Sequence, residues 1–268
     1  MAVALFSLTL TLLIVNSFAT YTLQAADHPL QFTYSGATGP EKWGSLNPKF
    51  SLCATGESQS PINIVEDQAV VNKNLKPLLR SYHPVNGTLT DVRFTVVVEY
   101  PEDSGWMNVD GKKYALKQMH WHSPSEHRIN GKRFAAELHM VHVSEDGRVA
   151  VLGYLFKYGH PDPILGQIHK ILNELAYEES AQLKLVPFHP AVLKENPRKY
   201  YKYIGSFSAP PCTENVIYII VGKVRSISRD QVQALKAPLD IQCKNNARPY
   251  QPLNGRHVEL YANHNRPN

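Results

Sequence analysis

Along most of the chain, apolar and polar positions alternate with a period of two, and glycine turns interrupt the alternation at short intervals. Val92, Phe94, Val96 and Val98 alternate within residues 92–100. Comparable runs occupy 114–122, 134–143, 149–158 and 216–224. A period of two places successive side chains on opposite faces of an extended chain, so these runs predict strands with at least one buried face. Asn86-Gly87, Asp110-Gly111, Asn130-Gly131 and Asp146-Gly147 supply the residue pairs that tight hairpin turns favour. A meandering antiparallel sheet follows. Helical spacing is rarer. Ile164, Ile168, Ile171, Leu172 and Leu175 recur behind Pro161 and Pro163, which predicts a helix over 164–176. Ser228 and Gln231 have the spacing of a capping box, so a second short helix begins after Ser228. The expected fold class is mainly β: a large central twisted, mostly antiparallel sheet with a few peripheral helices.

The first 26 residues break the pattern. They carry no charge, and the run from Leu8 to Val15 is apolar in the manner of a signal-peptide core. With its flanks it is too short and polar to be a comfortable membrane span. Ala25 and Ala26 offer a cleavage site before Asp27, although the usual positive start is missing. The expected organisation is a signal peptide over 1–26 and one domain over 27–268, with no membrane contact after processing. An uncleaved anchor or another transit peptide is the alternative. A secreted chain would expose the Asn86-Gly87-Thr88 sequon to glycosylation at Asn86. It would also let two of Cys53, Cys212 and Cys243 pair and leave one over; spacing alone does not say which. No two cysteines form a Cys-x-x-Cys motif, so thiolate metal sites are not expected.

The net charge of +5 comes without any block of like charges. Lys244, Arg248 and Arg256 are scattered near the C-terminus and read as a solvated face, so nucleic acid is not an expected partner.

The chemistry concentrates in two of the strand-like runs. Within Gln118-Met119-His120-Trp121-His122, alternation points Gln118, His120 and His122 one way. On the returning run, Glu137, His139 and Val141 share a face. If the two faces align, three imidazoles converge. Three neutral imidazoles suit Zn²⁺ and leave its fourth tetrahedral position for water. Gln118 and Glu137 each stand two residues before a histidine, where they can accept its second ring N–H.

These residues carry a resemblance. Residues 118–127, ending Ser-Pro-Ser-Glu-His, and 136–142 resemble the signature of the α-carbonic anhydrases. Gly39-Pro40-Glu41-Lys42-Trp43, Gln59-Ser60-Pro61-Ile62-Asn63-Ile64, the loop 203–212 and the segment 246–253 resemble further family motifs in the same order. The likeness runs from about Phe32 to about Tyr261, and its wording is most similar to secreted plant members, including the dioscorin storage proteins.

The resemblance implies that His120, His122 and His139 hold zinc, with Gln118, Glu137 and the Asn246 carbonyl behind them. It implies reversible hydration of CO₂ to bicarbonate. Ser208 stands where the family has a threonine that takes a proton from the activated water and donates its own to Glu126. Tyr34 matches a tyrosine that orders active-site water. Val141, Val151, Phe207, Val216 and Tyr218 match the apolar CO₂ pocket, with Phe207 and Tyr218 replacing a leucine and a tryptophan. Ala209 replaces a second threonine. Cys53 and Cys212 match the disulfide of secreted members, which leaves Cys243 free and buried. Phe94 falls at the place of the proton-shuttle histidine, in the strand around 93–95; His83 is the nearest histidine in sequence. The expectation is an enzyme limited by proton release. A storage or binding protein with little catalysis is the alternative. The destination is the secreted or apoplastic space, or the plastid by way of the secretory route. Neither a dinucleotide fingerprint nor a Gly-x-Ser-x-Gly elbow is present to support a reductase or a serine hydrolase.

Overall fold

The strands that position the chemistry are β1 (Thr88–Asp91), β2 (Val96–Glu99), β3 (Gly105–Val109), β4 (Lys112–His122), β5 (Ala136–Val143), β6 (Val149–Tyr158), β7 (Lys199–Ser206), β8 (Glu214–Val221) and β9 (Glu259–Ala262). This computed structural model describes residues 30–263 apart from 102, 178–181, 186–187 and 194–196; the expected signal segment lies outside the described residues. The strands belong to one thirteen-stranded sheet. Its order is Gln182–Lys184, β1, β2, β4, β5, β6, β8, β7, β9, Val70–Val71, with β3 pairing to β4 off that path. Most pairs are antiparallel, as the turn pattern implies. The exceptions are β6 with β8, β6 with Arg225–Ile227, and β9 with Val70–Val71. A small second sheet joins Asn63–Ile64, Arg128–Ile129 and Lys132–Arg133.

Glycine turns close the hairpins where positive φ is needed. Asp110-Gly111 links β3 to β4 at φ of 51° and 84°, and Asn130-Gly131 adopts 49° and 76° in the small sheet. Asn86-Gly87 is different: it makes no hairpin and lies between the Val85–Phe188 bridge and β1.

The run 92–100 is not one strand. Asp91 Oδ1 accepts a hydrogen bond from Arg93 N at 2.7 Å, and Arg93 sits at φ 69°. This side-chain-closed turn folds the chain back between β1 and β2. Phe94 therefore lies on a turn, and its ring packs 5.0 Å from Phe32.

The helix expected over 164–176 divides into Pro163–Gly166 and His169–Leu175. Asp162 caps the first piece through Ile164 N. Gln167, at the break, exchanges hydrogen bonds with the backbone of His189, which holds the chain away from a continuous helix. The capping box forms as expected: Ser228 Oγ accepts from Gln231 N, and Gln231 Oε1 accepts from Ser228 N, at the start of Arg229–Lys236.

Both faces of the sheet centre are covered, so β5 is buried at seven of its eight positions. Met119, Trp121, Leu138 and Met140 join one apolar cluster, while Val141, Val151, Phe207, Val216 and Tyr218 join the other. The histidine face belongs to the second side. Cys53 and Cys212 form a disulfide across 159 residues, and Cys243 is free and buried.

Candidate metal centre

Strand register brings the histidines together. His139 on β5 stands opposite His120 on β4, and Glu137 stands opposite His122. Directly opposed residues share a face. The rings of His120, His122 and His139 lie 4.8–5.3 Å apart between centroids. One nitrogen from each lies within 4.8 Å of the others.

The second nitrogen of each ring is committed elsewhere. His120 Nδ1 bonds Gln118 Oε1 at 2.8 Å, His122 Nδ1 bonds the Asn246 carbonyl at 2.6 Å, and His139 Nε2 bonds Glu137 Oε1 at 2.8 Å. Each partner is an acceptor, so each bonded nitrogen carries the proton. The lone pairs of His120 Nε2, His122 Nε2 and His139 Nδ1 are left facing one another. His122 Nε2 is buried with no hydrogen-bond partner. A buried orphan acceptor costs free energy, and a cation relieves it. The donor set of three neutral imidazoles, with their second nitrogens fixed, fits zinc.

Burial, and then the neighbouring rings, pull the His120 pKa well below the ordinary value. Burial also lowers His122, against the attraction of Glu126. Both rings are thereby neutral and ready to ligate. For His139, burial acts downward, but the Glu137 carboxylate outweighs it and the pKa rises. Burial alone would raise Glu137; the charges and hydrogen bonds of His127 and His139 hold it well below the carboxylate range.

Glu126 is buried, and its Oε1 accepts from Arg248 N at 3.0 Å. Its Oε2 has no hydrogen-bond partner and lies 3.4 Å from His122 Nε2 and 3.9 Å from His139 Nδ1. Ser208 borders the same cavity beside Tyr218, whose hydroxyl donates to Ser206 O at 2.9 Å. Burial raises the Tyr218 pKa well above normal, the charges of Glu126 and Glu137 add to this, and the Ser208 contact opposes it.

The histidines floor a cavity of about 360 Å³. Val141, Val151, Phe207, Ala209 and Tyr218 line it. Val216 does not line it, although it shares the face of Tyr218 on β8; it is buried in the same apolar cluster. Val92, Phe94 and Val97 add further apolar lining, and Thr95, Glu99, Tyr100, Lys117, Val143 and Val149 also border the cavity. Lys117 falls where the β4–β5 register shifts, between Val141↔Gln118 and His142↔Leu116, and that bulge carries it to the rim. Tyr34 also lines the cavity, and its buried hydroxyl has no partner. Beyond the three clustered rings no histidine among the described residues lines the cavity, and His83 is exposed elsewhere. Asn86 is exposed.

Sequence reasoning missed several supporting residues. Arg248 is 2% exposed, not part of a solvated face. Its guanidinium donates to Gln59 Oε1 and to the Ser60 and Cys53 carbonyls. His127 Nδ1 bonds Glu137 Oε1 at 2.6 Å, its Nε2 bonds Tyr203 Oη, and Tyr203 Oη bonds Ser60 Oγ. Gly153 stands opposite His139 in β6, where a Cβ would lie 2.6 Å from Ile220 Cδ1 and 3.4 Å from Glu137 Oε1. A glycine inside a strand run was the available signal for this last contact. Nothing local to Arg248 announces its burial.

Residues 38–262 match the sequence profile described as eukaryotic-type carbonic anhydrase. Alpha carbonic anhydrase 7 of Arabidopsis thaliana is 40% identical over 261 residues, covering 97% of this chain and 94% of the relative. A crystal structure of dioscorin complexed with ascorbate superposes at a TM-score of 0.85 with 34% identity, covering 88% of this chain and 99% of that one. The α-carbonic anhydrase of Thermovibrio ammonificans in complex with sulfanilamide superposes at 0.78 with 35% identity, covering 87% and 100%.

Proposed function

The chain belongs to the eukaryotic-type carbonic anhydrase family, and from that premise we propose that it is a zinc enzyme that reversibly hydrates CO₂ to bicarbonate and a proton. The observation that carries the reading is the histidine cluster: three facing lone pairs, three occupied second nitrogens and an open cavity above them. His120, His122 and His139 would hold the ion. When bound, zinc supplies Lewis-acid activation of water at neutral pH.

The chain's own residues do the rest. Gln118, the Asn246 carbonyl and Glu137 keep each imidazole in its ligating tautomer. Val141, Val151, Phe207 and Tyr218 offer a small apolar molecule a surface without competing hydrogen bonds. The Ser208 hydroxyl would accept a hydrogen bond from the reacting water and donate one to Glu126 Oε2, the orphan acceptor beside the ring nitrogens, which orients the water without a net proton transfer. Tyr34 orders water at the cavity wall. The proton released from the water passes to solvent buffer, because no further imidazole among the described residues lines the cavity.

A second reading is a binding or storage protein with little catalysis. The superposition on dioscorin and the largely apolar cavity lining favour it. Stopped-flow CO₂ hydration with metal analysis separates the two. One zinc per chain with sulfonamide-sensitive hydration supports the enzyme. A natively folded chain without zinc or hydration overturns it.

We also propose that 1–26 is removed and that the mature domain enters the secretory pathway, as secreted or apoplastic protein or onward to the plastid. The Cys53–Cys212 disulfide supports an oxidising route. A mature N-terminus at Asp27 is the expected result of N-terminal sequencing.

A further inference from the structure

A second concavity, of about 450 Å³, shares no lining residue with the histidine cavity. Four of its ten lining residues are cationic: Lys132, Arg133, Lys157 and Lys236. None is acidic. The chain elsewhere pairs its cations readily, as in Arg93–Asp240, Lys112–Asp146, Lys199–Glu66 and Arg225–Asp162. Among the described residues, none of the four makes such a pair.

The four come from separate parts of the fold. Lys132 and Arg133 form an edge strand of the small sheet, Lys157 lies near the end of β6, and Lys236 ends the helix Arg229–Lys236. Tertiary structure therefore gathers like charges that the chain order keeps apart. Their mutual repulsion is unfavourable unless an anion enters.

Two of the cations are also held in place. Lys236 Nζ bonds only the neutral Asn245 Oδ1, at 2.8 Å, and partial burial lowers its pKa. Arg133 Nε bonds the Ser125 carbonyl at 3.0 Å, which fixes the guanidinium and leaves its terminal nitrogens for another acceptor. Lys132 Nζ lies 5.6 Å from the centre of the Phe134 ring. Arg229 stands over the exposed Tyr158 ring at 4.5 Å and adds a fifth positive group at the rim.

We propose that this basic concavity binds an anion carrying two or more linked phosphate groups. A single monoanion would answer one or two of the four cations; a linked pair of phosphates can span them and accept from the planar guanidinium in two places. The site does not depend on the reading of the histidine cavity.

Isothermal titration of the full mature chain with inorganic pyrophosphate, compared with orthophosphate, tests it. The variant Lys132→Gln/Lys157→Gln removes two exposed cations and leaves both the fold and the histidine site untouched. The expected result is saturable pyrophosphate binding, tighter than orthophosphate. Affinity falls at least about tenfold in the double variant and weakens with added salt, as charge-assisted contacts do. Equal affinity in wild type and double variant would place the anion elsewhere, on the histidine-bound metal for example, and overturn the proposal. So would the absence of binding at low ionic strength.

Discussion

A phenyl ring has no proton to exchange at any accessible pH. Phe94 lines the cavity where the family likeness expects a shuttle histidine, and Val92 and Val97 beside it are equally inert. Turnover is therefore expected to rise steeply with imidazole concentration in stopped-flow CO₂ hydration, and insensitivity to buffer would refute proton-limited turnover. Phe94→His should raise kcat in dilute buffer by about 100-fold, the lower end of what a positioned acid–base group contributes, with little change in kcat/KM. Ser208 presents a second residue-scale question. Its neighbour Tyr218 is a phenol where the family likeness expects an indole, and that phenol donates to the Ser206 carbonyl. Tyr218→Phe should leave kcat about equal, because the Tyr218 hydroxyl is turned to the Ser206 carbonyl and not to the Ser208–Glu126 pair. A large fall in kcat, with zinc content unchanged, would show that the Tyr218 hydroxyl itself takes part.

At the scale of elements, the ligand set depends on three adjacent strands. β4 and β5 carry the histidines, and β6 presses its backbone against them at Gly153. Gly153→Ala inserts a methyl into the space of Ile220 and toward Glu137. Zinc affinity is expected to fall by about 10- to 100-fold, the usual cost of disturbing a ligand's hydrogen-bond partner. Competition with a chromogenic chelator measures it, and an unchanged affinity with a normal melting temperature would show that Ile220 yields without moving Glu137. Alternation along single strands reveals which side chains share a face, and it placed Gln118, His120 and His122 together. It does not reveal where a strand stops. The turn at Arg93 is closed by the Asp91 carboxylate, and the break at Gln167 by the distant backbone of His189. Neither event leaves a trace in the apolar period.

The whole molecule is held by long-range ties. The Cys53–Cys212 bond closes a loop of 159 residues and anchors the end of the segment bearing Phe207 and Ser208. Loop closure of this length restrains the unfolded chain by about 5 kcal/mol in the chain-entropy account. Replacing both cysteines with serine should lower the melting temperature by about 10 °C or more for a domain of this size. A shift of only a degree or two would show that the rest of the fold fixes that segment.

Stability should also depend on pH through His142. Its ring is buried on the face of β5 opposite the metal site and bonds Tyr82 Oη, and burial depresses its pKa from 6.5 to about 3. The unfolded state therefore takes up a proton that the folded state refuses between those values. This contribution is complete above about pH 6.5 and is lost progressively as pH falls toward about 3. His142→Asn should flatten the acid limb of a plot of melting temperature against pH. An unaltered slope would assign acid sensitivity to other groups.

What the sequence determined by itself was local and periodic. Alternation set the strand-rich class, the shared face of His120 and His122, and the imidazole chemistry suited to zinc, because a strand's side-chain directions follow from backbone geometry alone. The family likeness added the order of motifs. Only tertiary structure decided that His139 stands opposite His120, that Arg248 is buried behind Glu126, that Val216 lies outside the cavity lining, and that Lys132, Lys157 and Lys236 meet in one concavity. Each of these depends on strand register or on packing between segments far apart in the chain, and such distances are not encoded in any local pattern.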